Sequence, residues 1–217
     1  MMRVCWSRSA LPAMLVVLAA LAAPAPLRAQ EADPETLFER ASGSRMKGPP
    51  AARVLVYEIA DFQCPFCADF ARNVYPHIDS AYIRTGKVQW VFVGLPLPNH
   101  AHSWLATEAA LCAGAVGNAF WAMHDRLFGN QAEWTGATTP ATVFARYARE
   151  ARVPMAGYET CVAEDRVASV ILADVIFAAS TRVSGTPMFI INNEQTVVGV
   201  KSYTEWKELL DRLLSKK

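Results

Sequence analysis

A cysteine pair, Cys64-Pro65-Phe66-Cys67, follows directly on a strand-like run at residues 53–60. No other stretch limits the possible folds so sharply. The run is apolar enough to be central in a sheet. Pro65 has a fixed φ that suits the first position of a helix. The junction therefore reads as strand, tight loop, helix, with Cys64 at or near the N-cap. There its sulfur faces unpaired backbone N–H groups and the positive end of the helix dipole. Both stabilise a thiolate, the reactive form of cysteine. Two thiols at this spacing can close into a disulfide and reopen. The competing use of such a pair is half of a metal site.

The rest of the chain builds outward from this junction. The Cys64 helix is predicted to run to about Thr85, bent near Pro76, and Gly86-Lys87 then turns into a second strand at 88–93. A strand–helix–strand unit makes the two strands parallel. Helix-period apolar residues follow at 102–113, 119–128, 139–149 and 158–183. Strands return at 188–191 and 196–200, with a hairpin turn at Asn192-Asn193-Glu194. A last helix opens at a capping box of Ser202 and Glu205. Upstream, Asp33-Pro34-Glu35 starts a helical turn or two through Arg40, and residues 43–50 read as a linker.

Residues 1–29 have the composition of a cleavable signal peptide. Arg3 and Arg8 come first, residues 13–23 are apolar and uncharged, and Leu27-Arg28-Ala29 offers a cleavage site. The apolar run is short for a membrane span. Cleavage would remove three arginines and no acid, leaving 18 basic and 20 acidic residues. Such a chain has no electrostatic footprint for nucleic acid. Four cysteines would remain, Cys64, Cys67, Cys112 and Cys161, an even number that matters in an oxidising compartment. There is no glycine-rich phosphate loop, nucleotide fingerprint or haem-attachment motif, so no cofactor is expected.

Four separate pieces carry a family resemblance. They are Asp61-Phe62-Gln63-Cys64-Pro65-Phe66-Cys67, Leu95-Pro96-Leu97-Pro98-Asn99-His100, Ala119-Phe120-Trp121-Ala122-Met123-His124-Asp125 and Val183-Ser184-Gly185-Thr186-Pro187. In this order the chain resembles the DsbA-like thiol–disulfide oxidoreductases. The resemblance implies an α/β thioredoxin fold over residues 53–217 with an inserted helical subdomain at about 99–183. It also implies an exported, periplasmic protein that acts on cysteine-containing client proteins and exchanges electrons with a membrane redox partner. Only about 20 residues precede the domain after cleavage. Isomerising relatives often carry a long oligomerisation segment there, so a monomer is expected.

The resemblance assigns roles residue by residue. Cys64 is the nucleophile and the more exposed cysteine; Cys67 is buried and resolves the mixed disulfide. Pro65 and Phe66 tune the potential. Strongly oxidising relatives carry His at position 66, and Phe66 cannot supply its charge, so Cys64 should be less acidic than theirs. Glu58 falls beneath the active site, where it opposes thiolate formation and relays a proton. Thr186-Pro187 matches a cis-proline loop whose backbone pairs with an extended substrate. Thr186 is commoner among reducing and isomerising relatives. Similar chains join two cysteines of the helical block in a structural disulfide, which would be Cys112–Cys161. Free core cysteines and a four-cysteine zinc site remain alternatives. His100, His102 and His124 suggest packing or rim roles before catalysis. The direction of exchange is open, with a disulfide-forming oxidase favoured over a reductase or isomerase.

Overall fold

The computed structural model describes Met2 and residues 33–216. The expected signal peptide and its cleavage site lie outside the described residues, Met2 apart. Five strands form one mixed sheet in the order β1-β3-β2-β4-β5. They are β1 (Met46–Lys47), β2 (Val54–Ala60), β3 (Val88–Gly94), β4 (Met188–Ile191) and β5 (Gln195–Val198). β2 and β3 are parallel, with Val54 opposite Val88 and Glu58 opposite Phe92. β4 runs antiparallel to β2 and places Phe189 opposite Glu58. The expected central strand is therefore β2.

Helices cover both faces of the sheet. α2 (Pro65–Asn73), α3 (Tyr75–Ile78) and α10 (Tyr203–Ser215) pack on one side, where Phe70, Trp90, Phe189 and Trp206 form a buried aromatic cluster. On the other side Ile59, Val91, Val93 and Met188 meet Ala178 and Phe177 of α9 (Ala168–Ser180). Between β3 and β4 come α4 (Ser103–Gly117), α5 (Phe120–Gly129), α6 (Gln131–Thr135), α7 (Pro140–Glu150), α8 (Met155–Ala163) and α9. Their core includes Leu111, Phe120, Phe128, Trp134, Phe144 and Tyr147 and is continuous with Phe62 and Cys67. This is the expected sheet-and-helix arrangement with a helical insertion.

Local chemistry explains most element ends. In the hairpin, Asn192 and Asn193 both take positive φ, 52° and 59°, as the tight turn between right-twisted strands requires. The capping box forms, with Glu205 N donating to Ser202 Oγ at 3.3 Å and Ser202 N to Glu205 Oε2 at 2.8 Å.

Several expected boundaries shift. The helix from Cys64 breaks at Val74 (φ −118°) ahead of Pro76, since proline cannot supply an interior helix N–H. It resumes as α3 and a π-helical turn, Asp79–Ile83. The single helix expected over 158–183 is two, α8 and α9, because Asp165 turns left-handed at φ 50°. The last strand stops at Val198, where Gly199 has φ 77°.

The lead-in differs most from expectation. α1 (Pro34–Ser44) continues past Arg40, started by Asp33, whose Oδ1 accepts from Thr36 N at 3.0 Å. The presumed linker contains β1, antiparallel to β3. Arg45 then reaches between layers. It donates to Phe92 O at 3.1 Å and pairs with buried Asp174 of α9. Asp174 Oδ2 also accepts from Gly94 N at 2.8 Å.

Candidate active site

Cys64 caps α2 with extended geometry (φ −70°, ψ 123°), and Pro65 is the first helical residue. Its N–H donates to Asp61 O at 3.1 Å, and its carbonyl accepts from Ala68 N at 3.1 Å. Both Cys64 and Cys67 are thiols. Both are buried, and Cys64 is the more exposed of the two, at 5 % against 0 % for Cys67. Phe66 between them stands out at 65 % exposure.

The two sulfurs are electrostatically opposed. The Cys67 thiol, donating to Cys64, is the main cause that holds Cys64 down at about 5. Burial works against it, while the Thr186 side chain and the N–H groups of Cys67 and Phe66 add to it. The N–H groups at the helix N-terminus thus add to the effect of Cys67. Burial pushes Cys67 well above the ordinary thiol range, and its bond to Cys64 and the charge there push it further.

The Thr186–Pro187 peptide bond is cis. The Cys64 thiol lies 3.5 Å from the Thr186 carbonyl, to which it donates. Pro187 O accepts from Gly199 N at 2.8 Å, which ties this loop to the end of β5. Glu58 is fully buried, and Trp90 Nε1 donates to its Oε2 at 2.8 Å. Burial pushes this carboxyl up to about 7 against the lowering effect of Trp90. Strand alternation puts Glu58 on the face of Val54 and Val56, under Phe70 of α2.

Two further residues organise the site. Asp61 is buried, and its carboxylate collects four bonds. Oδ1 accepts from Gln63 N and Ser103 Oγ, both at 2.6 Å. Oδ2 accepts from Leu97 N and meets His100 Nδ1, both at 2.8 Å. Asp61 therefore joins the end of β2, the cysteine loop, the Leu-Pro-Leu-Pro segment and α4. From α6, Gln131 Nε2 donates to Phe62 O at 2.8 Å and to Cys64 O at 3.0 Å. Gln63 Oε1 accepts from His102 N at 2.8 Å.

Asp61 belongs to the motif around the cysteines, and its position one residue past the strand was the available signal. Gln131 lies 67 residues from Cys64, and nothing in the local sequence marks it. His100 reaches the active-site loop through Asp61. His102 contributes its backbone N–H to Gln63. His124 is buried against Phe62 of the cysteine loop and against Tyr75, Phe92 and Trp121.

Cys112 and Cys161 are joined, with S–S 2.04 Å and Cα–Cα 5.8 Å, linking α4 to α8. Their sulfurs are thereby unavailable to a four-cysteine metal site. Among the described residues no cluster of three His, Cys, Asp or Glu side chains is placed to hold a metal ion.

Residues 40–212 match the thioredoxin family model. The Na(+)/H(+) antiporter NhaA 3 of Salinispora tropica is 35 % identical over 151 residues, 69 % of this chain and 22 % of the antiporter. The chain thus spans about a fifth of that relative's length. Disulfide bond formation protein D of Bacillus subtilis is 25 % identical over 183 residues, covering 81 % of this chain and 79 % of the relative. The oxidised crystal structure of BdbD from Bacillus subtilis superposes with a TM-score of 0.71 at 23 % identity, over 80 % of this chain and 94 % of that one. That likeness extends to the fold with its helical insertion. Matched from the end of α1 through α10, with the cysteine helix and the proline loop inside the matched span, the chain belongs to the thioredoxin family.

Proposed function

We propose that this chain is an exported thiol–disulfide oxidoreductase that passes the Cys64–Cys67 disulfide to cysteines of client proteins. The observation that carries this reading is the thiol pair at the N-terminus of α2 beside the cis Thr186–Pro187 loop, where Cys64 is held down at about 5 and Cys67 is pushed well above the ordinary thiol range. A client thiolate attacks Cys64 of the disulfide, and Cys67 departs with the electron pair. Because Cys67 binds its proton tightly, it needs an acid at that moment, and Glu58 is the residue to supply one. A second client thiolate then attacks the client sulfur of the mixed disulfide. Cys64 leaves as a stable thiolate, and a thiol of low pKa is a fast leaving group. The client gains a disulfide; the dithiol carries away two electrons.

Other residues take their places around this exchange. Thr186 and Pro187 offer backbone to an extended client segment. Phe66 meets the client and, with Pro65, sets the loop between the sulfurs. Cys112–Cys161 braces the helical subdomain. A signal peptide at 1–29, a periplasmic location, a monomeric state and reoxidation by a membrane partner belong to the same reading. The relatives named for disulfide formation support it.

Phe66 and Thr186 favour a second reading, in which the reduced pair attacks client disulfides. Equilibration with glutathione buffers separates the two. A potential near about −120 mV supports the oxidase, and one near about −270 mV supports the reductase. Cys67→Ser is expected to trap clients as mixed disulfides on Cys64. Failure to trap any client, with no redox transition, would remove both readings.

A further inference from the structure

Three buried polar atoms, Glu58 Oε1, Tyr75 Oη and His124 Nε2, make no hydrogen bond within the protein. Such atoms are uncommon in folded proteins, and each calls for an explanation. A series of side-chain contacts connects the three residues. Glu58 holds Trp90 through its other oxygen. The Trp90 ring meets Tyr75 edge-on, with centroids 5.6 Å apart. Tyr75 in turn lies 5.6 Å from the His124 ring. His124 Nδ1 is 2.9 Å from Asp125 Oδ1, and the Asp125 side chain is 72 % exposed.

The series ends in a cavity. Tyr75, His124 and Asp125 line a space of about 230 Å³ together with Lys47, Arg72 and Asp79. Its lining includes none of Cys64, Phe66 and Thr186. A polar cavity of this size admits water, which links side chains that do not touch. The charged groups around it balance. Lys47 of β1 pairs with Asp79 at 3.0 Å and sits over the rings of Tyr75 and Trp121. Arg72 of α2 is engaged with Phe128 O at 3.2 Å. The Tyr75 hydroxyl is held in its neutral form chiefly by burial, and the charges of Asp79, Glu58 and Asp125 all act on it. Burial keeps the His124 ring neutral, with Asp125 opposing. Donation from Nδ1 to the Asp125 carboxylate leaves Nε2 as a proton acceptor.

We propose that Tyr75 and His124 form the route by which Glu58 exchanges its proton with solvent. This rests on the proposed function, in which Glu58 supplies Cys67. After Glu58 gives its proton to the departing Cys67 thiolate, its carboxylate takes one from the Tyr75 hydroxyl. In the same step the Tyr75 oxygen takes a proton from water in the cavity, replenished from solvent at the His124 and Asp125 end, so no buried phenolate forms. One proton enters from solvent for each proton given to Cys67, and no electrons move in the refilling. Reoxidation runs the same path outward. An unpaired buried hydroxyl costs stability, so a proton-transfer role accounts for a tyrosine where phenylalanine would pack equally well.

The test is the rate at which dithiothreitol reduces the Cys64–Cys67 disulfide across pH, in the full chain and in Tyr75→Phe, Glu58→Gln and the double variant. Tyr75→Phe is expected to slow reduction about tenfold at neutral pH. It should leave the reduction potential unchanged and raise the melting temperature. In the Glu58→Gln background it should have no further effect. His124→Asn should reproduce the slowing. A wild-type rate and pH profile in Tyr75→Phe, with Glu58→Gln slow, would overturn the route and leave the function standing. An equal slowing in the Glu58→Gln background would also overturn it, as the mark of a packing effect. Wild-type rates in Glu58→Gln would remove the demand for a proton from Glu58 and the route with it.

Discussion

Titrating the reduced protein tests the active-site electrostatics directly. With Cys64 held at about 5, its thiolate fraction is about one half at pH 5 and about 99 % at pH 7. An ordinary thiol near 8.5 goes from about 0.03 % to about 3 % over the same range. Alkylation of Cys64 by iodoacetamide should therefore rise only about twofold between pH 5 and pH 7, where a free cysteine rises about 100-fold. Cys67, fully buried and pushed the other way, should add no second phase. At pH 7 the thiolate gain over an ordinary thiol is about 30-fold, while the fall in intrinsic nucleophilicity is about 25- to 55-fold. The two nearly cancel. The low value thus does little for Cys64 as an attacker and much for it as a leaving group. Stabilising the thiolate also favours the reduced state by at most about 3 kcal/mol at pH 7, or about 60 mV, less what solvent screens at the rim of the core. The sign follows from a lowered acid: this contribution is complete only above the unfolded thiol's range and disappears as pH falls through about 5. A 100-fold rise in alkylation between pH 5 and pH 7 would refute the reasoning and, with it, the case for disulfide donation.

Other perturbations probe the scaffold. Cys112→Ala with Cys161→Ala opens a loop of 49 residues, which the chain-entropy model values at about 4 kcal/mol. Thermal unfolding should register a drop of about 8–16 °C for a domain of this size. Gln131→Ala leaves the Phe62 and Cys64 carbonyls without their side-chain donor and should cost about 1–2 kcal/mol in urea unfolding. Its effect on the alkylation midpoint of Cys64 reports whether α6 sets the loop geometry. Burial raises the pKa of Glu58, so its stability contribution is complete below the unfolded value and is lost as pH rises through about 7. The loss approaches about 3 kcal/mol. Glu58→Gln should therefore be the more stable protein at pH 8 and gain nothing at pH 4. Glu108, pushed up to about 7 by burial and then by Asp165, adds a loss of the same sign; only the difference between variant and wild type isolates Glu58.

The sequence carried the parts of this fold that repeat or punctuate. A nearly continuous apolar run marks β2, a proline after Cys64 marks the start of α2, and two asparagines mark the hairpin. Contacts between distant side chains leave no such trace. Gln131 is one polar residue among many on helix surfaces until the fold brings it against the Cys64 carbonyl. Asp61 was visible within the cysteine motif, but its four partners come from three segments. β1 is two residues long and lies among turn-forming neighbours, so no alternation could appear. The split between α8 and α9 depends on one left-handed aspartate, a residue type that also occurs on continuous helices. His124 reads in the sequence as a packing residue and Tyr75 carries no local mark; the missing partners of their polar atoms exist only in three dimensions.

The Arg45–Asp174 pair fixes where an excised or transplanted version of this domain must begin. A fragment starting at residue 53 would retain both cysteines, Glu58, Gln131 and the proline loop. It would also strand the Asp174 carboxylate inside the protein without its cation, a loss of about 3–5 kcal/mol. Asp174 sits in α9, the helix that delivers the chain to Thr186 and Pro187. The geometry beside Cys64 is thus hostage to an arginine 129 positions upstream of Asp174. Any shortened or grafted version has to carry residues 33–52 as part of its machinery.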